Sequence, residues 1–261
     1  MRNVRLIARL DVKAPNLVKG VQFEGLRKLG DPKDFAHRYY LQGVDEIYYE
    51  DIVASLYERN SLLGIVEETT KDIFVPVTVG GGLRSIDDVT AVLRAGADKV
   101  AINTAAIKEP SIITKIARRF GSQCMVLSIQ AKRQGPWWEA YFDNGREHSG
   151  IDAVAWAKQG QILGAGEILL TSVDKEGTGE GFDLELISAV TEQVDIPVIA
   201  SGGMGRLDDL GAAVQIGGAD AIAMAHVLHY ERYSIEDLRQ YCASIDIPVR
   251  QSLCASRVRD A

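Results

Sequence analysis

The sequence predicts a (β/α)8 barrel, and three observations lead there. Short β-rich runs alternate with longer amphipathic stretches from end to end. The runs number eight, which is the count that closes a parallel barrel. The chain also repeats itself at close to half its length: Gly81 and Gly202 occupy equivalent Gly-Gly steps 121 positions apart, and Glu46 and Glu167 occupy equivalent strand starts at the same offset. A four-strand half-barrel used twice accounts for this and places functional groups in opposed pairs across the mouth. The 261 residues suit one barrel, since such barrels run to ~250 residues. No Pro- or Ser-rich linker divides them, so one domain is expected over 1–261.

In order, the runs are 5–12, 46–51, 75–79, 99–103, 124–130, 167–171, 197–201 and 221–225. The first alternates Arg5, Ile7, Arg9 and Asp11 with Leu6, Ala8, Leu10 and Val12, and the second puts Glu46, Tyr48 and Glu50 on one face. The third and seventh run into glycine pairs. A hairpin-like insertion at 137–144 follows the fifth, where Trp137-Trp138 reads as packing. Several helices between the strands open on acidic or hydroxyl residues and stop near glycine, as in Ser85-Ile86-Asp87-Asp88 running to Gly96. The long connection 13–30 carries Lys19 and reads as a mobile lid.

Composition narrows the function. The formal charge of −7 argues against general nucleic-acid binding. No apolar run approaches the ~18 residues of a membrane span, and the amino-terminal segment does not read as a signal peptide. Cys124, Cys242 and Cys254 lack metal-type pairing and read as reduced thiols of a cytoplasmic protein. His37, His148, His226 and His229 lack ligand spacing, so neither a metal nor a cofactor is expected.

The glycines point to phosphate. Without a Cβ, Gly82 and Gly203 let backbone N–H groups approach an anion after strands three and seven. Asn103 and Thr104 add side-chain donors after strand four, while the matching strand-eight positions are Ala225 and His226. Glycine pairs also mark plain tight packing. Two such sites at corresponding ends of the repeat instead fit an elongated ligand with a phosphate at each end.

Longer stretches carry a family resemblance. Leu10-Asp11-Val12-Lys13, Leu17-Val18-Lys19-Gly20, Thr78-Val79-Gly80-Gly81-Gly82, Ile102-Asn103-Thr104-Ala105-Ala106, Gly164-Ala165-Gly166-Glu167-Ile168 and Ala200-Ser201-Gly202-Gly203 resemble the cyclase subunit (HisF) family of imidazole glycerol phosphate synthase. The likeness runs nearly end to end. It implies that a glutaminase (HisH-like) partner docks at the N-terminal face of the barrel and releases ammonia, which crosses the barrel to a two-phosphate ribonucleotide. Arg5, Glu46, Lys99 and Glu167 match the family's ring at the ammonia entrance, and Asp98 resembles a partner-contacting position. Taken alone, four alternating charges also read as a salt-bridge plug. The resemblance further implies ligand contacts from Lys19, Asp51, Asn103 and Thr171, and phosphate contacts from Gly82, Thr104, Gly177 and Gly203.

The mouth departs from the pattern. The family uses two acids there; Asp11 matches the first, but the second position holds Gln130. An amide cannot take and return a proton near neutral pH. Arg9 and Glu50 stand where the family has small or apolar residues, which leads to an expected buried Arg9–Glu50 ion pair lining the ammonia route. The alternative is that one of them reaches a bound anion. Ala14-Pro15-Asn16, Glu176 and the segment 51–57 also differ from the family. Such clustering at the acceptor end resembles HisF-like proteins of surface-polysaccharide synthesis, where ammonia passes to a third enzyme, an amidotransferase making acetamidino sugars. The rival expectations are an active cyclase of histidine biosynthesis and the related phosphoribosyl ribonucleotide isomerase.

Overall fold

The computed structural model describes residues 3–54 and 62–251. In chain order its strands are β1 (Arg5–Lys13), β2 (Asn16–Val21), β3 (Glu24–Gly30), β4 (Glu46–Asp51), β5 (Val77–Gly80), β6 (Lys99–Ile102), β7 (Met125–Gln134), β8 (Trp137–Phe142), β9 (Glu147–Asp152), β10 (Glu167–Ser172), β11 (Val198–Ser201) and β12 (Ala221–Met224). The helices are α1 (Pro32–Leu41), α2 (Leu63–Thr69), α3 (Ile86–Arg94), α4 (Thr104–Lys108), α5 (Ser111–Phe120), α6 (Ala153–Leu163), α7 (Leu184–Thr191), α8 (Leu207–Gln215), α9 (His226–His229) and α10 (Ile235–Ser244).

Eight parallel strands close the barrel in the order β1, β4, β5, β6, β7, β10, β11, β12, with β12 returning to β1. The expected (β/α)8 architecture is present, with each predicted run in a barrel strand. The third strand starts at Val77 rather than at residue 75. Pro76 has no N–H to give a ladder and contributes only its carbonyl, which accepts from Ile47 N. The fifth strand runs past residue 130 to Gln134 because β8 folds back antiparallel onto it.

The connection read as a lid is a hairpin. β2 and β3 pair antiparallel, and β2 pairs with the end of β1. It answers the β8–β9 hairpin on β7, so each half-barrel carries a hairpin after its first strand. The second hairpin reaches beyond the expected 137–144, to Asp152. Its turn contains Asp143 and Asn144, both in left-handed backbone that short polar side chains tolerate. Residues 55–57 and Cys254 lie outside the described residues.

Local sequence explains the helix starts. Ser85 accepts from Asp88 N while the Asp88 carboxylate caps Ser85 N, and Ser234 and Asp237 make the same reciprocal box for α10. α1 follows Asp31 as N-cap, with Pro32 in its first turn. Between helices and strands lies the main core, including Leu6, Leu10, Ile47, Val79, Ile102, Leu127 and Ile222. Inside the barrel Ile7, Tyr48, Ala101, Val126, Leu169, Ile199, Ala221 and Ala223 form a second, smaller layer.

Candidate functional site

The strand N-termini bring Arg5, Glu46, Lys99 and Glu167 into one closed ring. Arg5 pairs with Glu46 at 2.9 Å and Glu167 at 3.0 Å, and Lys99 pairs with the same two at 2.9 and 3.1 Å. Thr78 donates to the free Glu46 oxygen at 2.6 Å, fixing that carboxylate. Asp98 is exposed beside the ring, and one of its oxygens accepts from Val77 N at 2.8 Å. Asp45 and Asp220 do the same for Leu6 and Val198, so this contact recurs at several strand starts.

Above the ring the interior layer encloses a cavity of about 10 Å³ lined by residues including Glu46, Tyr48, Thr78, Leu169 and Ala223. That is close to the ~10–15 Å³ that holds one water-sized molecule.

At the mouth a buried charge network crosses the barrel. Arg9 donates through Nε to Asp11 at 2.9 Å and through Nη1 to Thr171 and Ser201 at 3.1 Å each. Its guanidinium lies 5.6 Å from the ring centres of Phe23 and Tyr48. Lys19, on β2, pairs with Asp11 at 3.1 Å and with Glu176. Burial alone would raise the Asp11 pKa, but Arg9 and Lys19 outweigh it and hold this carboxyl well below the usual range. Burial likewise opposes the charge of Lys19, and Glu176 and Asp11 overcome it.

The expected Arg9–Glu50 ion pair is therefore replaced by Arg9–Asp11. Parallel register explains the change: Arg9 stands beside Tyr48, and Glu50 stands beside Asp11. Like charge sits next to Glu50, and its opposite charge is spent elsewhere. Burial first, with Asp11 and Asp51 adding to it against a partial offset from Arg9, raises the Glu50 pKa to about 8.

The two expected phosphate sites differ in openness. Gly82, Asn103, Thr104 and Asp51 line a mouth cavity of about 360 Å³ that also holds Glu50, Ser128 and Gln130. Gly81 makes this cradle possible: its φ is +84°, and a Cβ there would stand 2.2 Å from the Asp51 carbonyl oxygen. Asn103 and Thr104 are partly committed to the β8–β9 hairpin, through Tyr141 O and Asp143 N. Gly177 and Gly203 line the other site, which retains only about 20 Å³ because Arg9, Lys19 and Glu176 reach into it. Gln130 is buried on β7 next to Thr171, and its Oε1 has no hydrogen-bond partner among the described residues. Sequence reasoning missed Ser201 and Tyr48 as contacts of Arg9, though both fall on inward-facing positions by strand period. Among the described residues, no group of three or more His, Cys, Asp or Glu could hold a metal ion, and no helix is long and apolar enough to cross a membrane.

Comparison with known proteins agrees with this geometry. The family model described as "Histidine biosynthesis protein" matches residues 5–234. The imidazole glycerol phosphate synthase subunit HisF of Legionella pneumophila is 63% identical over 210 residues, covering 80% of this chain and 99% of that protein. The chain belongs to the HisF family. The HisF subunit of Myxococcus xanthus is 53% identical over 225 residues, with 86% of this chain and 89% of that one covered. That of Methanocaldococcus jannaschii is 45% identical over 270 residues, covering 96% and 99%. This chain is thus a HisF-like imidazole glycerol phosphate synthase subunit.

Proposed function

We propose that this HisF-family barrel receives ammonia from a glutaminase partner at its base and delivers it to a phosphate-bearing acceptor at its mouth. The carrying observation is the polarity of the barrel: a closed charged ring at one end and a glycine-cradled polar cavity at the other. Ala101, Ala221 and Ala223 contribute small side chains to the interior layer between the two ends. Partner docking at the base finds support in Leu41, Phe74, Ile162 and Ile216. All four are exposed large apolar side chains, each near the end of a segment leading into a barrel strand. The test is to mix the chain with a HisH-type glutaminase. Complex formation with faster glutamine hydrolysis is expected; neither would occur if the reading were wrong.

Gln130 favours a second reading, in which ammonia passes to a third enzyme, an amidotransferase such as one making acetamidino sugars. An amide there cannot serve as the second acid of the two-carboxylate cyclase. Assay with the two-phosphate ribonucleotide substrate of imidazole glycerol phosphate synthase and ammonium separates the two, since full turnover defeats the conduit. Isomerase turnover without ammonia would establish the ribonucleotide isomerase instead.

A further inference from the structure

Glu50 occupies a border. Its strand neighbour Tyr48 lines the small interior cavity, while Glu50 itself lines the large mouth cavity. A Cβ on Gly80 would stand 2.5 Å from both the Tyr48 hydroxyl and Glu50 Oε2, so the bare glycine makes room for the two groups together. Among the described residues the buried Tyr48 hydroxyl has no hydrogen-bond partner and Glu50 makes no salt bridge. The charged groups facing Glu50 are Arg9 and Asp11 on β1 and Asp51 on its own strand; Arg84, Lys108, Glu109 and Asp143 lie around the same cavity. Arg9 is already held by Asp11, Thr171 and Ser201. A carboxyl buried here keeps its proton at neutral pH. Gln130, in the same cavity, cannot give up and take back a proton near neutral pH.

We propose that Glu50 is the proton-carrying catalytic residue of the mouth cavity, supplying from β4 what Gln130 cannot supply from β7. The assignment rests on the reading that ammonia reaches an acceptor in this cavity. The acceptor class that ammonia and a proton-donating carboxyl serve together is a phosphorylated carbonyl compound. The nitrogen lone pair forms the C–N bond, and the C=O π pair moves to oxygen, which takes the Glu50 proton. The new ammonium nitrogen then returns a proton to the Glu50 carboxylate, and the acid is regenerated.

Two measurements on the full chain test this. With the two-phosphate ribonucleotide and ammonium chloride, Glu50→Gln should lower kcat by ~10²–10⁴ and leave KM within about threefold. Glu50→Asp should recover part of the loss. Wild-type kcat should fall as pH rises through about 8, and that limb should vanish in Glu50→Gln. Without any substrate, infrared difference spectra of the wild type should show a protonated carboxyl band at pH 6. The band should disappear with a midpoint near 8 and be absent in Glu50→Gln. Wild-type turnover in Glu50→Gln, no turnover in the wild type, or an already ionised Glu50 at pH 6 would each overturn the assignment. Glutaminase stimulation reports separately on ammonia delivery, so failure of that reading is distinguishable.

Discussion

Arg9→Met removes the centre of the mouth network, keeping an unbranched apolar stem but losing the guanidinium. In the wild type the positive charges of Arg9 and Lys19 balance those of Asp11 and Glu176. Without Arg9 a surplus negative charge stays buried, and Thr171 and Ser201 lose the donor they share. Breaking a buried pair by removing one partner costs ~3–5 kcal/mol. For a chain of this length each kcal/mol moves Tm by ~2–4 °C, so a fall of roughly 6–20 °C is expected at pH 7. Heat unfolding of both proteins should be compared at one scan rate. The same variant should push the Glu50 pKa above about 8, because Arg9 is the nearby charge that favours its ionised form. Arg9→Lys should not restore stability, since one ammonium cannot reproduce the planar fork that serves three acceptors. A Tm within 2 °C of wild type, with an unmoved infrared midpoint, would refute the reasoning.

Other outcomes follow from the same contacts. Unfolded Glu titrates near 4.5 and folded Glu50 near 8, so wild-type stability is lost as pH rises through this window. Relative to wild type, Glu50→Gln should therefore gain stability as pH rises from 5 to 8.5, by at most about 5 kcal/mol, read from urea midpoints. Lys99→Met breaks two pairs of the basal ring; it should cost ~1–3 kcal/mol and weaken ammonia transfer from the glutaminase, read by urea unfolding and coupled product formation. Gly81→Ala forces a Cβ against the Asp51 carbonyl in left-handed backbone; it should destabilise by more than ~1 kcal/mol and weaken inorganic phosphate binding measured by calorimetry.

The barrel was legible because strand period, glycine punctuation and the half-length repeat all describe backbone geometry and can be read along the chain without knowing side-chain contacts. The basal ring was legible for a related reason: Arg5, Glu46, Lys99 and Glu167 each begin or nearly begin a strand, so closure alone brings them together. The Arg9 partner was not legible. Alternation correctly turned Arg9 and Glu50 inward, but their pairing depends on the stagger between β1 and β4, which sets Arg9 against Tyr48. An offset of two residues gives Glu50 the like-charged Asp11 as its strand neighbour in place of Arg9, and burial beside that carboxyl raises its pKa. The β2–β3 hairpin escaped for lack of a strong turn signal at Gln22-Phe23, where both residues take left-handed backbone usually left to glycine or asparagine. The repeat offered the missing hint, because β7 carries an equivalent hairpin.

Passage of ammonia along the inside of the barrel is the claim on which the proposed function stands. Its most direct measurement supplies the chain–glutaminase complex with glutamine labelled with ¹⁵N at the amide, the two-phosphate ribonucleotide and an excess of unlabelled ammonium. Isotope content of the nitrogen entering the product is then read by mass spectrometry. Internal transfer predicts that the product keeps the label against the external pool and loses it when Lys99 of the ring is replaced by Met. Product carrying the isotope ratio of the bulk solution would contradict the account.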